Sequence, residues 1–567
     1  MASIKDITEP VKIYQQAKEM FHQNALDYFD ELIKTSKVNL EVNKSTCEEY
    51  YKKINEIGEA KKATTKKGKL KNFLKVLMII CYCLVVLIPV GLLIRSKIKN
   101  KIDKELQDMN SEIEKLTKSA EEVKNQAVKE TATFNGMLEW NVPANLFSKT
   151  IPLIQVDPYF KNERLYYLKD KYGYSEHDGD DISTVFVQSG SILGNPFVIE
   201  QNRVQEMGTC TYTGTLVIHY VTYSRDSNGR SFPVHHTQTL TAHVTKPKPS
   251  YYLDTWLIYG NGAAPKLTFT RTPSDTGKLD EKHLLKFTQK FEKKLGKISK
   301  KDLNFTKLAN TKFETLFNAL DRNDEVEFRL LFTPLAQNNM EELIRMKEPY
   351  GDDFTFYKQK ELNYIKTAHA QGFDYSANPM NFINFDANKA KEDLINYCDA
   401  YFQSLYFDLA PLLCIPLYQN YKATEYIYKD NHKGRFTSFE TESLINHFDP
   451  ADLVAKETAT EAIFKTEFVS RDDDADIMSV TAHTFKAIPR VDMVPTIGGD
   501  GHTHLVPVHW NEYVKISKKT PFIVRDSKKS RYEYSKSENL FAKYNVKNVY
   551  YQKGLVSAIL KETTQDK

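Results

Sequence analysis

Histidines and carboxylates at short spacing are the residues of this chain best suited to chemistry. In HTHLVPVHW, His502 and His504 stand two apart, so on a strand they share a face, as two metal ligands could, with Asp500 and His509 close by. Polar residues beside a hairpin turn explain them equally well, and His509 has the opposite parity. Two imidazoles also fall short of the three protein ligands that a stable zinc site needs, so no metal is expected there. In a second histidine-bearing hairpin, pairing Ser227 with Arg230 sets His219 and His236 diagonally on one face and His235 on the other, an ordinary half-exposed sheet pattern. The run Asp472, Asp473, Asp474, Asp476 opens like a calcium loop. It then carries Ile477 where the loop needs Gly and His483 where it needs Glu, which leaves a surface turn. The pairs Asp352-Asp353 in YGDDF and Asp180-Asp181 in DGDD are sequential, so their side chains diverge, and both read as solvated turns.

Local signatures of the common enzyme classes are missing: the chain contains no GxxxxGK[ST], no GxGxxG after a strand, no HExxH and no GxSxG. Catalytic residues therefore stay unknown, and neither a cofactor nor a metal is expected. Cys47, Cys81, Cys83, Cys210, Cys398 and Cys414 are scattered without a CxxC, which excludes a disulfide scaffold and a thiolate zinc site. With 78 basic against 74 acidic residues, the chain has no overall field of the kind that gathers nucleic acid.

The elements that would position such residues begin with an anchor. Residues 76–94, VLMIICYCLVVLIPVGLLI, lack any charged side chain. As one helix at about 1.5 Å per residue they come to about 28 Å, close to a hydrocarbon core of ~30 Å. A single-pass transmembrane helix over 72–96 is the expectation, with the lipid bilayer as partner and the cell membrane as location. Pro89 and Gly91 supply the alternative, a re-entrant hairpin. Lys61, Lys62, Lys66, Lys67, Lys69, Lys71 and Lys75 precede the segment; Arg95, Lys97, Lys99, Lys101 and Lys104 follow it. That small excess leans toward a cytoplasmic N-terminal side, whereas unpaired cysteines in the large part pull the other way, so sidedness stays undecided. Next to a bilayer the lysines suit anionic headgroups better than nucleic acid.

Residues 1–71 read as a helical region ending in the lysine-rich stretch. Tyr14, Ala17, Phe21, Ala25, Tyr28 and Leu32 form the stripe of one amphipathic helix, and Tyr50, Ile54 and Ile57 that of a second. Over 97–131, Leu106, Met109, Ile113, Leu116, Ala120, Val123 and Ala127 alternate spacings of three and four, a heptad seam. Two readings stay open: a stalk that pairs copies of the chain into a homo-oligomer, or one helix lying on its own domain.

From 132 the sequence turns aromatic-rich and turn-punctuated. Residues 132–250 are expected to be β-rich, with a long hairpin over 211–224 and 231–244 turning at Asn228-Gly229 and ended by the prolines of Lys246-Pro247-Lys248-Pro249. Residues 251–540 are expected to mix helices at 280–295 and 386–410, a strand at 326–332, a helix capped by Thr333-Pro334, an apolar core run at 405–417 and a hairpin around Gly498-Gly499-Asp500-Gly501. A tail at 541–567 completes the division. Segregated strands and helices make the class α+β rather than doubly wound.

The strings VQSGSILGNPFV, TQTLTAHVTKPKP, LIYGNGAAPKLTFTR, DEVEFRLLFTPLAQ, YGDDFTF and GGDGHTHLVPVHW resemble those of a family of uncharacterised bacterial membrane-anchored proteins. The resemblance implies a shared fold and an anchor, and carries no activity and no residue role. The functional expectation is a non-enzymatic membrane-anchored scaffold or binding protein with an unknown protein partner. The alternative is a membrane-tethered enzyme, such as a hydrolase of envelope material.

Overall fold

The computed structural model describes residues 3–83, 87–176, 179–301, 305–421, 436–472, 475–526, 541, 544–552 and 554–561. It is a mixed helix-and-sheet protein, and the chain divides into two compact units. One comprises residues 1–21, 140–376 and 401–567; the other comprises 22–139 and 377–400.

The smaller unit is helical. Helix α1 (Pro10–Ser36) runs into it, and α2 (Leu40–Cys83), α3 (Ile88–Lys97), a single π-helical turn (Ile98–Ile102) and α4 (Asp103–Met137) follow. Helix α2 packs along α3 and α4, and their contacts fix the direction. Asn43 Nδ2 donates to Glu130 at 3.2 Å, Lys53 Nζ to Ser119 Oγ at 3.0 Å, and Lys67 and Lys71 pair with Glu105 and Asp103, each at 2.6 Å. As the number on α2 rises, its partner's falls by nearly the same amount, so the two legs are antiparallel. They form one long helical hairpin of about 60 Å from Asn43 to the Tyr82–Gly91 contact, at about 1.5 Å per residue. The heptad seam of α4 is half-buried or buried along this contact, with Ala120 and Ala127 fully covered. A helix of the same chain therefore lies along the side of α4 that the stalk expectation gave to a second copy.

The single-pass expectation is corrected here. Residues 76–94 do not form one helix: α2 ends at Cys83 and α3 starts at Ile88, with Pro89 in its first turn. Among the described residues no helix is long and apolar enough to cross a membrane. Proline lacks the N–H that would continue an incoming helix but fits the first turn of a new one. Gly91 lets the returning leg approach, because a Cβ there would stand 2.7 Å from the Tyr82 ring.

The larger unit is built on two antiparallel sheets. The strands are β1 (Ile154–Val156), β2 (Ile182–Ile192), β3 (Asn195–Arg225), β4 (Ser231–Gly260), β5 (Thr268–Arg271), β6 (Phe354–Gln359), β7 (Leu362–Thr367), β8 (Ile463–Asp472), β9 (Ala475–Ile497), β10 (Thr503–Asp526), β11 (Val546–Gln552) and β12 (Leu555–Leu560). The first sheet has the order β1-β2-β3-β4-β7-β6-β5 and the second β11-β12-β10-β9-β8. The expected boundary at 250/251 falls inside β4, and β11 and β12, within the stretch expected as a tail, pair with each other, with β12 also pairing β10.

Both long hairpins run beyond their sheets and pack face to face, burying Ile218, Leu240, Ala242, Val506 and Val508. Gly214 permits the close approach, since a Cβ there would lie 2.1 Å from the Pro507 carbonyl oxygen. Strand β4 does not stop at its prolines: Pro247 faces Thr209 and Pro249 faces Met207. The second neighbour of β4, β7, pairs only over Leu257–Gly260. Along this stretch one edge of β4 is open, where a residue without an N–H is tolerated.

The segment expected as a strand at 326–332 is a helix, Glu325–Leu331, because Asp324 accepts from the N–H groups of Val326 and Glu327. Phe328 and Leu331, three apart, are buried, whereas Val326 is 77% exposed. Thr333 caps the next helix, Pro334–Arg345, as expected. Leu405, Leu409, Leu412, Leu413 and Ile415 of the 405–417 run are core. Within the same unit the start of α1 adds Tyr14 and Phe21, with ring centroids 5.2 Å from Tyr406 and 4.7 Å from Phe402. Residues up to Phe21 thus contribute to the core of the larger unit.

Candidate functional site

The helical hairpin ends in an apolar tip. On the outgoing leg Val76, Ile79 and Ile80 are exposed, and on the returning leg Ile88, Val90, Leu92 and Leu93, with Leu93 71% exposed. Burying a side chain of this size stabilises by about 1.5–3 kcal/mol, so such a tip carries a large unsatisfied hydrophobic term. Isolated exposed leucines are ordinary on proteins; a contiguous apolar cap on a projecting hairpin is not.

Directly behind the cap lies a basic collar. Because the legs are antiparallel, the two lysine clusters that flank the apolar run in sequence come side by side. Lys61, Lys62, Lys66, Lys69 and Lys75 are exposed on one leg, and Arg95, Lys97, Lys99, Lys101 and Lys104 on the other. Asp103 and Glu105 pair across the legs with Lys71 and Lys67. The ion pair with Lys67 holds the Glu105 carboxyl below its usual range.

The sequence-predicted polar sites come out differently. His504 Nε2 meets Asp500 Oδ2 at 2.9 Å, and the backbone N–H of His502 donates to Asp500 Oδ1 at 3.0 Å, so Asp500 closes the turn between β9 and β10. In the first hairpin Arg225 pairs with Ser231, one register step from the expected pairing. Asp226 accepts from the N–H groups of Asn228 and Arg230, which makes a five-residue loop with Gly229 at a φ of 78°. A one-residue slip exchanges faces. His219 consequently sits opposite Thr237 and bonds it at 3.0 Å, while His236, on the other face, bonds Thr222 at 2.7 Å. Among the described residues no group of three or more His, Cys, Asp or Glu is placed to hold a metal. Of the acidic run, Asp473 and Asp474 lie outside the described residues; Asp476 is fully buried and pairs with Arg471 at 3.5 Å, not a solvated turn residue.

The Asp352-Asp353 pair corrects its expectation most. Asp352 and Arg271 form an ion pair with no exposed side-chain surface. Asp353 Oδ2 meets His369 Nδ1 at 2.6 Å, and on the other side of the ring Nε2 lies 3.1 Å from the Ser404 carbonyl oxygen and 3.3 Å from Asp408. Tyr350 stacks on the imidazole at 3.8 Å, and Tyr375 donates to Asp408. Burial alone would lower the His369 pKa, but the bonds to Asp353 and Asp408 outweigh it and hold the ring up to about 10, a charged imidazolium at neutral pH. Sequence reasoning missed this cluster because its members come from distant segments with no shared motif.

A cleft of about 440 Å³ is lined by Tyr159, Phe160, Asn162, Glu440, Asp526 and Gln552, among others. Burial pushes the Glu440 carboxyl up to about 7. One of its oxygens accepts from the Thr437 N–H at 2.9 Å and hydroxyl at 3.0 Å, closing a capping box on the helix Ser438–Ile445.

No family model, curated protein or solved structure matches this chain.

Proposed function

We propose that this protein is a membrane-attached scaffold or binding protein without enzymatic activity, held to the lipid bilayer by the apolar tip of its helical hairpin. The exposed cap formed by Ile79, Ile80, Leu92 and Leu93, backed by lysines from both legs, carries the reading. Lipid acyl chains cover apolar surface, and anionic headgroups match the collar. The state of the buried ionisable groups supports a binding role over a catalytic one. Both ring nitrogens of His369 are engaged, and Glu440 is committed to a helix cap.

Flotation of the full chain with lipid vesicles tests it. The wild type should rise with the vesicles, and Ile79→Asp combined with Leu93→Asp should stay in the dense fraction with an unchanged unfolding curve. A wild type that stays down, or a variant that still floats, would overturn the proposal.

A further inference from the structure

Resting on the membrane attachment just proposed, we infer that the tip enters one leaflet and returns, so that both legs and the large unit lie on the same face of the bilayer, against anionic headgroups. Depth is the first argument. From Lys75 to Cys83 the outgoing leg rises about 12 Å beyond the collar at about 1.5 Å per residue, less than half of a ~30 Å hydrocarbon core. The hairpin can fill one leaflet and cannot reach the far interface.

Charge is the second argument. A spanning helix would carry the two basic clusters to opposite faces. In the hairpin Lys67 meets Glu105 and Lys71 meets Asp103, both at 2.6 Å, so the clusters share one level on adjacent legs. Those pairs engage Asp103 and Glu105 and leave Lys66, Lys69, Lys99 and Lys101 exposed. A ring of cations just behind an apolar cap matches a leaflet whose headgroups are negative.

Close approach of the legs is the third argument. With Gly91 against the Tyr82 ring and Cys81 buried, the two legs bury surface against each other inside the apolar cap itself. An apolar cap that is already paired can enter the acyl layer as a unit, with the backbone bonds of each leg satisfied within its helix except in the last turn of α2 and the first turn of α3.

Two measurements test this and separate its failure from that of the attachment. Epitopes are placed in the connection after α1, at Lys37, and in the loop at Ser227–Gly229, and the full chain is expressed. In sealed membrane vesicles of either orientation, protease should remove both epitopes or neither. Removal of one with protection of the other would mean a span and would overturn the inference while leaving the attachment standing. In flotation, vesicles containing phosphatidylserine should bind roughly ten-fold better than pure phosphatidylcholine, with the excess lost at high salt and in Lys69→Glu with Lys99→Glu. Equal binding to both lipids would overturn the headgroup half. No flotation on either, with capture by a second copy of the chain instead, would remove the inference together with the attachment.

Discussion

The hairpin tip and the His369 cluster invert each other. At the tip apolar side chains face outward, and among the described residues nothing covers them. Around His369 and Arg271 charged side chains face inward, and each meets an opposite charge at bonding distance. A buried ion is tolerated only when its partners replace its water, and breaking one partner leaves the other stranded. An exposed apolar surface has no such internal partner, so what it gains must come from outside the chain. The first arrangement stabilises a fold; the second leaves an interaction unfilled.

That contrast breaks most sharply at His369. His369→Ala should leave buried Asp408 and half-buried Asp353 without their cation and cost about 3–5 kcal/mol, read as a shift in the denaturant midpoint. Leu92→Ser, at the tip, should move the same midpoint by no more than about 0.5 kcal/mol. Similar shifts for the two substitutions would show that tip and cluster serve the same purpose.

Gly214→Val should come next. The added carbons meet the Pro507 carbonyl and must push the two long hairpins apart, at a cost of about 1–3 kcal/mol. Trp510 reports the movement, since its Nε1 donates to Asp492 at 2.9 Å and Lys246 lies 4.4 Å from its ring. Its fluorescence should shift toward that of a solvent-exposed indole, and an unshifted spectrum would mean that the hairpins give way without separating.

The pH dependence sharpens the same comparison. The folded-state pKa of His369, about 10, lies above its ordinary value of 6.5. The charged form therefore stabilises the fold fully below about pH 6.5, and this contribution is lost as pH rises through about 10. Wild-type stability minus that of His369→Gln should fall across this window. A flat difference would mean that the ring is neutral in the folded protein.

How legible each region was in the sequence follows from the range of its contacts. The stripe of Tyr14, Ala17 and Phe21, the seam of Leu106 to Ala127 and the cap at Thr333 are local patterns, and each sits on the element expected for it. The pairing of α4 with α2 is not local, and the seam alone could not say whether its partner came from the same chain. The apolar run misled for a related reason: length and hydropathy are blind to a reversal, and Pro89 with Gly91 were the only local marks of one. In the first hairpin Asn-Gly gave the turn but Asp226 set its length, which moved the register by one and exchanged the faces of His235 and His236. The His369 cluster was illegible because Asp353, His369 and Asp408 become neighbours only when the larger unit closes.

The smallest effect bears on the hairpin's own register. Lys71→Glu should place a like charge against Asp103, and Lys67→Glu against Glu105, each costing only a few tenths of a kcal/mol because these pairs are partly exposed. Reversing both members, Lys71→Glu with Asp103→Lys, should restore most of the loss. The recovery should shrink at about 1 M salt, where screening acts within about 3 Å. The double-mutant cycle matters more than its size, because a favourable coupling energy between positions 71 and 103 requires the legs to run antiparallel. A continuous helix through 76–94 would separate those positions by about 48 Å at about 1.5 Å per residue and would give no coupling. Coupling that appears only at high protein concentration would instead mean that the two legs belong to different chains.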